Sequence, residues 1–529
     1  MNQTPRALHG ACVAPHHLAA QAGRDVLKDG GNAIEAMVAM AAAIAVVYPH
    51  MNSLGGDGFW LIKAPGKDPV AIDASGPAAQ AASIDFYRAQ GLTAIPNRGP
   101  LAALTVAGTI GGWQRALEMS RQQGGSLPLG RLLAPAADLA RDGIAVTRSQ
   151  AKLSAEKLPE LAPVPGFSDT YLVDGKAPAE GSVLRQPTLA NTLNQLGHAG
   201  LEDFYRGDIA QRLAQDLAAV GSPVSAQDLA SYQAQISKPL ALTMSQGTVY
   251  NLAPPTQGLA SLLILGQFDR LKVTDGESFA HIHGLIEATK QAFLVRDRAC
   301  LDPRWTDENP HDYLTSDVLD DLTSRINRQQ ALPWPHEGDP GDTVWLGCVD
   351  AQGTAVSFIQ SVYWEFGSGV TLPGTGLTWQ NRGVSFSLDP NHPNALQPGR
   401  KPFHTLNPAL AVFNDGRVMP YGTMGGEGQP QTQAAVFSRY AMFGQDLQQA
   451  VTAPRWLLGK TWGDATTSLK LEDRFDPALV AELKAAGHEV EMIAPYSDMA
   501  GHAGGVAYWP NGLIEVASDP RADGAALGF

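Results

Sequence analysis

The clearest alternation between apolar and polar stretches lies past the middle of the chain. Two apolar runs, Thr343–Val349 and Ala355–Val362, flank the polar turn Asp350-Ala351-Gln352-Gly353. Runs of this length around a Gly-containing turn predict a β-hairpin. Folding about residue 352 sets Ser361 roughly opposite Thr343, where facing Cβ atoms lie about 4.5–5.5 Å apart. Earlier the period is that of a helix. Apolar positions recur every three to four residues over His17–Lys28 and again through a mostly helical stretch from 105 to 330. That stretch includes helices predicted over Pro135–Arg141, Ile209–Val220 and Phe279–Arg298, with Ser225 as a cap before Asp228. Gly30-Gly31 ends the first helix, and an Ala-rich helix follows over Ala33–Val47. The turn Gly55-Gly56-Asp57-Gly58 then feeds a strand, Phe59–Ile62. Glycine suits such caps and turns because it takes φ > 0 without steric cost. A second glycine cluster, Gly422-Thr423-Met424-Gly425-Gly426-Glu427-Gly428, joins the strand Val418–Tyr421 to a helix. There are no internal repeats. A chain of 529 residues predicts two lobes or one large layered domain.

Charge narrows the partners. A net charge of −14 argues against nucleic acid or an anionic membrane as the main one. The Ala33–Val47 run is too short to cross a bilayer and contains Glu35, so it reads as a core helix. Met1–Ala20 has no apolar stretch of the secretory kind. The three cysteines, Cys12, Cys300 and Cys348, have no paired spacing, which fits a reducing compartment such as the cytoplasm.

The usual chemical motifs are missing. The chain has no HExxH, no GxSxG and no CxxC, and no GxGxxG follows a strand. His16-His17, His281, His283 and His311 lack metal-ligand spacing, so neither a metal nor a cofactor is expected. What remains is hydroxyl chemistry. Thr343 opens its strand directly after the Pro-rich, charged loop Pro333–Pro340. Thr343 and Ser361 are either an ordinary cross-strand pair or two hydroxyls meeting in a site. The amides of the second glycine cluster either make a tight turn or hold an anion.

Colinear motifs decide between these. Gly30-Gly31-Asn32-Ala33, Gly55-Gly56-Asp57-Gly58-Phe59, Leu139-Ala140-Arg141-Asp142-Gly143, Phe204-Tyr205-Arg206-Gly207, Ala453-Pro454-Arg455-Trp456 and Asp519-Pro520-Arg521-Ala522-Asp523-Gly524-Ala525-Ala526 run through nearly the whole chain. With them the sequence resembles the γ-glutamyltranspeptidase family of N-terminal-nucleophile hydrolases. The resemblance implies an α+β fold, a four-layer αββα sandwich. It implies self-cleavage between Asp342 and Thr343 into a large chain, 1–342, and a small chain, 343–529. Thr343 then stands where the family has its nucleophile, Ser361 where a second hydroxyl supports it, and Gly425 and Gly426 where two amides form the oxyanion hole.

The family's recognition residues do not carry over. Ser75 follows Ile72-Asp73-Ala74 where an Arg binds the glutamyl carboxylate. Ser385 replaces an Asp, Tyr363 an Asn, and His404-Thr405 a Ser-Ser pair. A site that reads charge by buried pairing loses its specificity with its partners. Tyr48-Pro49-His50-Met51-Asn52, Asn381-Arg382-Gly383 and Phe403-His404-Thr405 resemble the branch that hydrolyses oxamate in allantoin breakdown. The expected partners are therefore a small amide and the two chains of the precursor, and a dimer of that two-chain unit is compatible. Arg382 and His404 are the expected carboxylate partners, with Tyr363 as a hydroxyl donor and Thr405 and Ser385 beside them. A γ-glutamyl hydrolase or transferase, a cephalosporin-type acylase and an uncut, non-catalytic binding protein are the alternatives.

Overall fold

The computed structural model describes residues 3–334, 342–459 and 466–529, residue 342 by its backbone alone. Fourteen strands build two sheets. In chain order they are β1 (Arg6–Ala7), β2 (Gly10–Ala14), β3 (Asp57–Lys63), β4 (Val70–Ala74), β5 (Gln235–Ser237), β6 (Leu240–Thr243) and β7 (Gly247–Asn251). They continue with β8 (Asp342–Asp350), β9 (Ala355–Tyr363), β10 (Ala409–Phe413), β11 (Val418–Thr423), β12 (Ala503–Tyr508), β13 (Ile514–Ser518) and β14 (Ala525–Gly528). One sheet runs β1-β13-β12-β11-β10-β7-β6 and the other β14-β2-β8-β9-β3-β4-β5. Pairing within both is antiparallel.

The two sheets pack face to face through Phe59, Leu61, Trp345, Val349, Ile359, Leu410, Val506 and Val516. The outer face of the β8 sheet, with Val344, Leu346, Val356 and Phe358, is covered by α1 (His17–Lys28) and α2 (Ala33–Val47). Helices α3 (Gly258–Leu271), α4 (Phe279–Ala299) and α5 (Gly428–Phe437) cover the other sheet's outer face, over Val249, Ala409, Ala411, Met419 and Tyr421. The layer order is helix, sheet, sheet, helix, as the resemblance implies. Every residue of α2 is buried, which explains an apolar composition on all its faces. Asn32 and Glu35 form its capping box, and the Asp350 carboxylate accepts from Ala33 N–H at 2.9 Å. Among the described residues no helix is long and apolar enough to cross a membrane.

Several elements differ from expectation. The helix expected over Pro135–Arg141 begins at Leu129. Pro135 lies inside it rather than near its start, and Leu132, Leu133, Ala136, Ala137 and Ala140 form one buried stripe. Residues 235–251 are three strands, not part of a helical stretch. Beyond Thr343 the strands alternate with helices at Gly428–Phe437, Leu447–Thr452 and Pro477–Ala485. Gly55 and Gly56 do not have positive φ. They are needed for space: a Cβ on Gly55 would lie 2.3 Å from the Thr378 carbonyl oxygen, and one on Gly56 2.1 Å from that of Ser361. The cysteines are unlinked, although Cys12 and Cys348 face each other across β2 and β8 with Sγ atoms 3.5 Å apart.

Candidate active site

The open end of the β8–β9 hairpin gathers the hydroxyls. Asp342 pairs with Tyr363 and Val344 with Gln360, so the single residue Thr343 faces two, Ser361 and Val362. The predicted opposition of Thr343 and Ser361 is therefore kept through a β-bulge. Ser361 in turn pairs with Asp57 on β3. Thr343, Ser361 and Asp57 share the alternation phase of Trp345, Ile359 and Phe59, which point between the sheets. Three polar side chains thus form one row across three strands, and all are buried. The Ser361 hydroxyl accepts from Tyr363 N–H at 2.7 Å, and Tyr363 itself has φ +85°, a left-handed value rarely taken by a bulky residue. Residues 335–341 and the Asp342 side chain, on the upstream side of the expected cut, lie outside the described residues.

The second glycine cluster stands at the end of β11. Gly425 and Gly426 have φ +113° and +51°, and that pair of conformations requires glycine. Their carbonyls turn toward the start of α5: Gly425 accepts from Gly428 N–H at 2.7 Å and Gly426 from Gln429 N–H at 3.3 Å. In a trans peptide the N–H points opposite its carbonyl, so the Gly426 N–H faces away from the helix. The buried Gln257 amide donates to the Gly426 and Thr405 carbonyls at 2.7 Å each. Gln429, at the start of α5, places its Nε2 3.3 Å from Thr343 Oγ1.

Arg382 sits at the start of a short 3₁₀ turn, Arg382–Ser385, with its guanidinium carbon 3.8 Å from the Tyr363 ring centroid. It donates to the Thr405 hydroxyl at 3.3 Å and is 1% exposed. His404 meets Asp57 through Nε2 at 2.9 Å. The other Asp57 oxygen accepts from Gly76 N–H, Gly108 N–H and the Gln380 amide at 3.0–3.1 Å. Burial pushes the Asp57 carboxyl up to about 7, against the pull of these donors and of Arg382. Burial, then Arg382 and Lys401, hold the His404 imidazole neutral. Tyr363, Arg382, His404 and Thr405 thus come together. Ser385 reaches the same corner, but its hydroxyl bonds the Arg382 and Phe403 carbonyls at 3.1 and 3.3 Å. Ser75 gives its hydroxyl to Asp73 at 2.5 Å, and Asp73 pairs with Lys401 at 2.8 Å. A cavity of about 230 Å³ opens between Ser385, Phe403, Arg296 and Glu427, beside the glycine turn. A larger one of about 610 Å³, along Asp73, Lys401, Asp302 and Arg304, touches none of Thr343, Ser361, Gly425 or Gly426.

One histidine does find ligand-like neighbours, contrary to expectation. His283 and Glu287, one turn apart on α4, meet His488 with their ligand atoms within 4.8 Å. The Asn327 carbonyl, 2.8 Å from His283 Nε2, fixes the proton there. His283 Nδ1 therefore accepts from His488 at 2.8 Å. The place of a cation beside Glu287 is already taken by the Lys290 ammonium at 2.6 Å. The arrangement is a closed hydrogen-bonded network.

Comparison with known proteins settles the lineage. The family model for gamma-glutamyltranspeptidase matches residues 19–529. The chain belongs to that family. Within it, the chain is 57% identical over 530 residues to a Klebsiella pneumoniae protein named oxamate amidohydrolase proenzyme, covering 100% of both. It is 39% identical to the glutathione hydrolase-like YwrD proenzyme of Bacillus subtilis, again across 100% of both chains. The crystal structure of cephalosporin acylase from Bacillus halodurans superposes with a TM-score of 0.92 at 32% identity, over 100% of this chain and 97% of that one. The chain is thus a hydrolase with the N-terminal-nucleophile fold shared by gamma-glutamyltranspeptidases and acylases.

Three residues of this gamma-glutamyltranspeptidase-family site carry little signal in the sequence. Asp57 falls in the glycine turn of the sequence, although a carboxylate leading into an apolar strand signals a buried partner. Gln429 directly follows the glycine cluster, and its proximity to that turn was the only hint. Gln257 carries no pattern that would single it out.

Proposed function

We propose that this chain is a self-cleaving amidohydrolase acting on a small amide with an adjacent carboxylate, best matched by oxamate. The observation that carries the reading is Arg382. Its guanidinium is enclosed between the Tyr363 ring and the Thr405 hydroxyl, and Tyr363 is the cross-strand partner of Asp342. A planar cation at the end of the Thr343 strand suits one carboxylate. The positions that clamp a glutamyl amino acid in relatives are here Ser75 and Ser385, whose hydroxyls are committed to Asp73 and to backbone carbonyls. The name of the Klebsiella pneumoniae relative points the same way.

In the proposed course, the Thr343 hydroxyl first attacks the Asp342 carbonyl, and water resolves the resulting ester. That step makes the chains 1–342 and 343–529 and frees the Thr343 α-amine. With a reference pKa of about 7.7–8.0, this amine takes the hydroxyl proton near neutral pH. Oγ then attacks the substrate amide, and the amides of Gly425 and Gly426 hold the oxyanion. Ammonia leaves with the proton, an acyl-Thr ester remains, and water releases oxalate. Ser361 supports Oγ from the neighbouring strand. On this reading the enzyme works in the cytoplasm, late in allantoin breakdown.

Ammonia release by the purified protein from oxamate, a γ-glutamyl amide and a cephalosporin side-chain amide tests the reading. The third substrate is included because of the acylase likeness. Oxamate is expected to have the highest kcat/KM. The lighter chain should begin Thr-Val-Trp-Leu, and Thr343→Ala should remain one uncut chain. Arg382→Ala should cost about 2–5 kcal/mol on oxamate, at least thirtyfold in kcat/KM. A γ-glutamyl amide hydrolysed as well as oxamate, or an unaffected Arg382→Ala, refutes the substrate.

A further inference from the structure

Gln429 touches the proposed nucleophile, and the direction of that contact can be read from its surroundings. The residue is fully buried in the first turn of α5. One end of its amide faces the Asn407 N–H at 3.2 Å. A backbone N–H only donates, so the atom facing it is the oxygen, Oε1. The nitrogen, Nε2, therefore faces Thr343 Oγ1 at 3.3 Å. An amide NH₂ only donates in turn, so Thr343 Oγ1 accepts this bond. The threonine's own proton is left to point elsewhere, which after cleavage includes its α-amine.

The orientation is held from behind. The Asn407 side chain donates to the Ser261 hydroxyl at 2.6 Å, and the Asn407 main-chain carbonyl accepts from the Gln433 amide at 2.5 Å. The Gln433 oxygen accepts from Asn251 at 3.3 Å. Gln429, Asn407, Gln433, Asn251 and Ser261 are all buried. Turning the Gln429 amide over would set N–H against N–H at Asn407 and leave a buried main-chain donor facing a donor, a costly exchange away from water.

We propose that Gln429 is a catalytic hydrogen-bond donor to the Thr343 oxygen, in self-cleavage and in turnover alike. The proposal rests on Thr343 being the nucleophile. As the hydroxyl proton passes on, to the departing Thr343 nitrogen in self-cleavage and to the freed α-amine in turnover, charge grows on Oγ and the bond from Nε2 becomes charge-assisted and stronger. When water attacks the acyl ester, Oγ leaves carrying the same charge, and the same donor serves it. The bond thus strengthens in both halves of the reaction and contributes little to holding the substrate.

Two variants test this. Gln429→Glu keeps the shape and the Asn407 bond but turns an acceptor toward Thr343. Gln429→Met keeps the length with no donor. The substrate-free readout is the rate of self-cleavage on a denaturing gel. The second readout is kcat, KM and the pH profile of kcat/KM for the matured fraction. Both variants should lose about 10²–10³-fold in self-cleavage and in kcat, with KM within a factor of two. In Gln429→Glu an added negative charge beside the α-amine favours its protonated form, so the rising limb of the profile moves to higher pH. In Gln429→Met the limb stays in place. Wild-type rates in both variants overturn the proposal, and so does loss of folding in both, since that makes the residue purely structural. An uncut Thr343→Ala together with fast Gln429 variants defeats Gln429 alone, whereas a Thr343→Ala protein that still cleaves and turns over defeats the nucleophile reading itself.

Discussion

Replacing Gly56 with Ala isolates how closely strand position governs the chemistry. Gly56 lies against the end of β9, and the added methyl carbon would stand 2.1 Å from the Ser361 carbonyl oxygen and 2.8 Å from its carbon. Real Cβ contacts stay above 3.0 Å, so the two backbones must part by about 0.9 Å. No flexible side chain can absorb this, because the clashing atoms are main chain. Overpacking of this kind costs about 1–3 kcal/mol in stability. The larger effect should be kinetic. Ser361 faces Thr343 through the bulge, and a displacement near 1 Å at a reacting centre costs on the order of 10²-fold in rate. Self-cleavage followed on a gel and kcat of the matured fraction should both fall by about that factor. The melting temperature should drop by only a few degrees. Gly66→Ala is the control: its φ is +68° with nothing within 4 Å of the new carbon. It should cost roughly 1 kcal/mol and leave the rates alone. Wild-type cleavage and turnover in Gly56→Ala would refute the claim that this contact sets the Ser361 position.

Ser361→Ala should slow self-cleavage and turnover while the melting temperature stays within a few degrees, because the change removes one hydroxyl, which accepts from Tyr363 N–H at 2.7 Å, and keeps the packed Cβ; unchanged rates would make Ser361 a plain sheet residue. Asp57→Asn should show a pH-dependent gain in stability. Asp57 is held protonated up to about 7 by burial, against 3.8 for a free group, so the folded state keeps a proton that the unfolded chain releases between those values. Wild-type stability from this group therefore falls as pH rises from about 4 to 7, by roughly 4 kcal/mol at most. The Tm of Asp57→Asn minus that of wild type should climb over that window and then level off. A flat or falling difference in calorimetry would contradict the burial assignment.

The hairpin was legible because both of its strands are mostly apolar and flank a polar turn with Gly353, which takes φ +85° there. The α4 helix was equally clear, since its length leaves room for several turns of the 3.6 period. The strands between 235 and 251 were hidden. Gln235–Ser237 is an exposed edge, and Leu240–Thr243 buries only alternate residues, so neither shows a run. The site divides in the same way. Thr343, Ser361, Gly425 and Gly426 stand out through family motifs, whereas Gln429 depends on partners 86 and 22 residues away. Amide side chains that act through geometry leave no periodic trace. Gly55 and Gly56 read locally as turn glycines, whereas their need is close approach between backbones, a tertiary property that no local pattern records.

The strand order has a consequence for how the protein can be lost. In the β8 sheet, β8 and β9 lie between β2 and β3, and β14 pairs beyond β2. A cut before Thr343 would assign neighbouring strands to different polypeptides, and the other sheet is shared in the same way. Such a heterodimer has no separable halves. Its two chains can part only by dismantling both sheets, and rejoining would be a second-order encounter between two incomplete sheets. An uncut precursor would fold in a first-order process that a cut product could not retrace. Thermal inactivation of the mature form should accordingly be governed by an unfolding barrier rather than by an equilibrium. Self-cleavage would then set a direction in time as well as releasing a base.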